Sequence, residues 1–174
     1  MLPAGRLDEV TAEQCEQCGF DGDDWTDTGA LEAVAELPIR WASAVSGLRS
    51  RDLLRRPVPD MWSIGEYTDH VREVLFGMRF LLDAAVSLPG VDLGASPESR
   101  FDTEARPIEV ESALAGIDRE ATALRETLSE LPPDAWTSIV ILDGAGVDPH
   151  WIVRHAVHDA THHLLDVERL RRAL

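Results

Sequence analysis

The segment His155-Ala-Val-His-Asp-Ala-Thr-His-His163 packs four of the chain's six histidines into nine residues, and another, His70, stands far away in Trp62-Ser-Ile-Gly-Glu-Tyr-Thr-Asp-His70. Imidazoles and carboxylates are ligands for divalent metals. Asp159 and His163 are four residues apart, which on a helix brings both side chains to one spot. His158 and His162 share that spacing, one residue out of register. Either pair with His70 makes a three-ligand set that leaves a position free for water or substrate, the mark of a catalytic rather than a structural site. The plain alternatives are a histidine-rich helix surface and core-edge histidines that are merely hydrogen-bonded. Cys15 and Cys18, in CEQCGFD, are the chain's two cysteines. They supply two thiolates where a structural zinc takes four ligands, so the others must come from elsewhere. The expectation is that the bundle does not need them.

Helical apolar spacing, which could position these residues, recurs four times. The first ladder is Leu31, Val34, Trp41, Val45 and Leu48, with Pro38 as a kink or restart. The second is Ile64, Tyr67, Val71, Val74, Met78, Leu81 and Ala85. The third is Val110, Leu114, Ile117, Ala121, Leu124, Leu128 and Leu131. The fourth is Ile152, Ala156, Ala160, Val167 and Leu170, with His163 on the same ladder. Ser63 and Glu66 form a capping box, with Trp62 and Tyr67 as a hydrophobic staple. Asp148-Pro149 reads as an N-cap followed by a proline at the first helical position, and Pro107 could open the third helix in the same way. Pro132-Pro133 closes the third helix. Strand signal is confined to Trp136–Leu142, too isolated for a sheet. The expected fold is all-α, a four-helix bundle over residues 29–174 behind an N-terminal arm of residues 1–28. The loop from Pro89 to Arg106 is long enough, at ~3.3 Å per residue, to run the length of a helix. If the second and third helices are then parallel, the path is up-down-down-up, and His70 and His163 reach similar heights. At about 100° per residue, His163 and Asp159 lie roughly 60° and 100° from the apolar centre of the fourth helix, and His158 and His162 lie roughly 160° away on the outer face.

The chain has 174 residues, 44% of them hydrophobic, enough for one domain with a sizeable core. A net charge of −16, with every basic residue an arginine, repels phosphate and so argues against a nucleic-acid or anionic-membrane partner. The first residues carry no apolar signal core, and no apolar run approaches the ~20 residues needed to span a bilayer. A cytoplasmic protein is expected, forming a weakly held homodimer through exposed parts of the apolar stripes.

WSIGEYTDHV resembles the second-helix motif of the DinB-like superfamily, and HDATHHLLDV its fourth-helix motif, together spanning roughly residues 30 to 174. CGFD ahead of the bundle resembles an actinobacterial branch. The resemblance implies an up-down-down-up four-helix bundle holding a divalent metal, commonly zinc or nickel, through three side chains. The motifs select His70 and His163. The third ligand falls on Asp159, where most members carry histidine, and a two-histidine, one-carboxylate set also tolerates iron. A one-residue shift selects His158 and His162 instead. The resemblance further implies a thiol-dependent S-transferase or isomerase acting on a small electrophile, with mycothiol as the thiol cosubstrate. Glu66 and Asp166 are then candidates to orient imidazoles, against their plain readings as a cap and a solvated face. Arg79 and Arg154 could bind a cosubstrate carboxylate. The other classes are a non-enzymatic metal-binding or stress-response protein and a helical interaction domain without metal.

Overall fold

Thr26 opens the first helix, its Oγ1 accepting the Gly29 N–H at 3.1 Å. The computed structural model describes residues 12–58, 61–96 and 107–174. The expected arm is therefore described from Ala12, and the Pro89–Arg106 loop as far as Ser96; the rest of both lies outside the described residues. A two-residue hairpin, β1 (Gln14–Cys15) and β2 (Phe20–Asp21), leads into α1 (Asp27–Val45). The short α2 (Ser50–Leu53) precedes α3 (Ile64–Ser87) and α4 (Val110–Glu130). A second hairpin, β3 (Val140–Leu142) and β4 (Ala145–Val147), delivers the chain to α5 (Pro149–Arg172).

The four long helices enclose one core, α1 and α3 each packing against both α4 and α5. Every ladder supplies buried residues, among them Trp41, Val71, Ile117 and Ile152. Burying a side chain of this size stabilises by about 1.5–3 kcal/mol, so the shared core outweighs any single cap. Helix α1 is continuous through Pro38, and Val34, Leu37 and Trp41 share its buried face, so the proline does not restart it. Pro107 does not open a helix either, because α4 begins at Val110 after Glu109. Asp148 caps α5 through the Trp151 N–H at 2.7 Å, with Pro149 in the first turn. Three contacts order α3 against α4: Gly65 meets Val110, the Arg72 side chain lies over Gly116, and Arg79 binds Glu120 at 2.9 Å. Among the described residues, no helix is long and apolar enough to cross a membrane.

The strand expectation needs correcting. Asp143 and Gly144 both have positive φ, 53° and 75°. That is the backbone of the two-residue turn favoured in hairpins, so Val140–Leu142 finds a partner in Ala145–Val147. Residues of the long loop also join it, Leu93 N–H donating to Ile141 O and Ile141 N–H to Val91 O, each at 2.9 Å.

The start of α3 is fixed by buried charge as well as by capping. Ser63 Oγ accepts the Glu66 N–H at 3.2 Å, and Glu66 Oε2 accepts the Ser63 N–H at 2.8 Å. Arg56 Nε donates to the same carboxylate at 2.9 Å. Burial opposes ionisation of Glu66, but Arg56 and Ser63 overcome it and hold the carboxyl below its ordinary value. Glu66→Ala removes the cap and the buried ion pair with Arg56, so a loss of about 3 kcal/mol is expected in chemical denaturation. Because the folded-state pKa is depressed, this stability is present at neutral pH and lost as acid takes the solution below it.

Candidate metal centre

Helix α5 carries two i, i+4 ligand pairs displaced by one residue, and the displacement turns them onto faces about 100° apart. One face looks at α3. There His70, Asp159 and His163 meet, with one ligand atom from each lying within 4.8 Å of the others. Asp159 Oδ2 stands 3.8 Å from His70 Nε2 and 3.8 Å from His163 Nε2. Four-coordinate bonds of about 2.0–2.1 Å would place ligand atoms roughly 3.3–3.5 Å apart, so Asp159 Oδ2 stands only a few tenths of an ångström too far from each imidazole. Asp159 Oδ1 is buried without a hydrogen-bond partner, a costly arrangement unless another group satisfies it.

The surroundings fix the imidazoles. His163 Nδ1 lies 3.1 Å from Asp166 Oδ2, which puts the ring proton on Nδ1 and leaves the Nε2 lone pair facing Asp159. Burial pushes the His163 pKa below its ordinary value, against the pull of Asp159 and Asp166, so the ring is neutral at neutral pH. Burial raises the Asp159 pKa, but His70 and His163 more than offset it and keep the carboxylate ionised. Trp62 packs its ring 4.9 Å from that of His70, and Tyr67 stands 5.1 Å from His163. The hydrophobic staple of α3, its rings 5.4 Å apart, is thus also a wall of the site. Glu66 is not the orienting group proposed for it, because its carboxylate is turned to Ser63 and Arg56.

The second face of α5 looks at the N-terminal hairpin. His158 and His162 were expected on an outer, solvent-facing surface, yet their side chains are only 12% and 20% exposed. The arm covers them, bringing Cys15 and Cys18 into one cluster with both histidines. The Cys15 thiol is held down to about 6, first by the Cys18 backbone N–H and then by contact with His158. The CxxC motif with Gly19 behind it was the available signal, but nothing in the sequence said where the arm docks. Among the described residues His70 groups with Asp159 and His163, and His158 and His162 group with Cys15 and Cys18, while His162 and His163 also share Asp166.

The remaining candidates are engaged. His155 Nδ1 lies 2.8 Å from Glu13 Oε2, and His150 Nδ1 lies 2.9 Å from Asp27 Oδ1. Arg154 donates to Trp25 O at 2.9 Å and to Asp27 Oδ1 at 3.0 Å, while Arg79 is held by Glu120, so neither is a waiting carboxylate receptor. An open cavity of about 310 Å³ lies between the arm and the start of α5, lined in part by these paired groups and away from His70.

Among solved structures, the chain resembles YfiT from Bacillus subtilis, described as a probable metal-dependent hydrolase with an unusual four-helix bundle topology. The two share 12% identity at a TM-score of 0.72, over 86% of this chain and 89% of that one. No curated protein sequence matches. The family model for the DinB superfamily matches residues 33–167, from within α1 almost to the end of α5, and the chain belongs to that superfamily.

Proposed function

We propose that His70, Asp159 and His163 hold one divalent metal ion in an open, catalytic type of site, and that the protein is a metal-dependent S-transferase acting on a small electrophile with a thiol cosubstrate. The convergence of the three side chains, with Asp159 Oδ2 at 3.8 Å from each imidazole and Oδ1 buried without a partner, carries this reading. Two imidazoles and a carboxylate suit zinc, nickel or iron. Such an ion supplies Lewis acidity, lowering the pKa of a thiol or water beside it. The chain's own residues do the rest. Asp166 holds the His163 proton on Nδ1. Trp62 and Tyr67 give an apolar wall that restricts water and offers a flat surface to an apolar substrate. We also read the bundle path as up-down-down-up, supported by the ascending order of the three α3–α4 contacts. Membership of the superfamily supports the metal, and mycothiol as the thiol rests on the motif resemblance alone.

A second reading is hydrolysis, with water in place of the thiol, favoured by the description of YfiT. The test is turnover of a model electrophile and of a model ester or amide by metal-loaded protein, with and without mycothiol. Electrophile consumption that requires both metal and thiol is expected. Thiol-independent hydrolysis would favour the second reading, and metal binding without turnover of either would leave a metal-binding protein that is not an enzyme of these classes.

A further inference from the structure

We propose that Cys15, Cys18, His158 and His162 form a second metal site, a closed four-ligand zinc centre that fastens the N-terminal hairpin to α5. One ligand atom from each residue lies within 4.8 Å of the others. Cys15 Sγ is 3.6 Å from His162 Nδ1. Tetrahedral zinc, with bonds of about 2.3 Å to sulfur and 2.0–2.1 Å to nitrogen, sets this separation at roughly 3.5 Å, so these two ligands already stand at coordination distance. The cysteines are free thiols, not a disulfide. The turn between them has the form of a metal-binding knuckle. Gly19, at φ +75°, reverses the chain and donates to Cys15 O at 2.8 Å.

The histidines supply an independent observation. Both ring nitrogens of His158 are buried. Nδ1 lies 2.9 Å from Glu13 Oε1, and Nε2 has no hydrogen-bond partner. A buried ring nitrogen with no partner costs free energy in the protein alone, and a metal bound to it would remove that cost. The Phe20 ring stacks on the same imidazole at 4.6 Å, fixing its plane. On the far side of His162, Nε2 faces Asp166 Oδ2 at 3.8 Å, so one carboxylate backs a histidine of each cluster. Two thiolates and two imidazoles at C-x2-C and H-x3-H spacing match zinc in softness and number. Four protein ligands leave no open position, so this centre is structural and its role is separate from that of the His70 site.

The test uses full-length protein, reduced, stripped of metal and reloaded with Co²⁺ or Zn²⁺. Two equivalents per chain are expected, with thiolate-to-cobalt charge-transfer absorption in the near ultraviolet. Cys15→Ser/Cys18→Ser should lose that absorption and one equivalent, whereas His70→Ala should lose the other equivalent and keep the absorption. Zinc X-ray absorption of the unmutated protein needs no variant to fold and should show sulfur at about 2.3 Å. A charge-transfer band with a single equivalent would support this centre and count against the proposed His70 site. No thiolate absorption and no zinc–sulfur scattering, or a Cys15–Cys18 disulfide under reducing conditions, would overturn it.

Discussion

Alanine in place of His70, Asp159 or His163 is expected to empty the open site, each with a loss in affinity larger than the ~10–100-fold typical of residues that merely support a ligand. Three protein ligands leave one position of a four-coordinate ion open, and two hold a divalent ion far more weakly against water and buffer. Metal content measured on folded protein at one pH should fall by one equivalent in each variant. Asp159→His should retain that equivalent with zinc or nickel, because it restores an all-imidazole set that suits both metals. His158→Ala and His162→Ala should also retain it, since those side chains face the arm. If Asp159→Ala keeps its full metal content, the open site is not where the α5–α3 geometry places it. Circular dichroism on the same samples separates ligand loss from unfolding.

The sequence made the bundle legible because its determinants are local. Ser63, Glu66, Trp62 and Tyr67 act within one turn, and the ladders repeat at a spacing that only a helix satisfies. The grouping of His70, Asp159 and His163 followed from the same periodicity together with motif resemblance. What stayed hidden depends on contacts between distant segments. Glu66 was ambiguous because Arg56, which claims its carboxylate, lies in a stretch without periodic signal. The β3–β4 hairpin turns on Asp143-Gly144, a pair whose hairpin preference is known, but its second strand, Ala-Gly-Val, is too short to announce itself. His158 and His162 were placed correctly relative to the apolar face and wrongly relative to solvent. Helical geometry gives a side chain's direction but not what waits there, and the arm carries no ladder from which docking on α5 could be read. Two overlapping i, i+4 pairs read as rival registers for one site, because the sequence does not show that one pair faces α3 and the other the arm.

Removing metal with a chelator under reducing conditions is expected to release the arm while leaving the bundle helical. Among the described residues, the arm's other ties to α5 include Arg154 to Trp25 O, the Glu13 contacts with His155 and His158 and the Phe20–His158 stack, and Phe20 and Trp25 also pack against the core. Each polar tie is worth about 1 kcal/mol net. A four-ligand zinc centre contributes apparent binding of ~10–16 kcal/mol in zinc-finger peptides, far more than those contacts. Hydrogen exchange reads the difference where it arises, at the Gly19 and Gly22 amides, which donate to Cys15 O and Glu13 O at 2.8 Å. Their protection should drop by roughly 100-fold or more on chelation, because local opening then costs only the residual contacts. Amides in the middle of α3 and α4, whose side chains Leu75 and Ile117 are fully buried, should be unaffected. His70→Ala protein, with the cysteine site intact, should keep its arm protected until the chelator is added. Protection at Gly19 and Gly22 that survives chelation would mean that packing alone holds the arm, and that Cys15 and Cys18 do not fasten it through a metal.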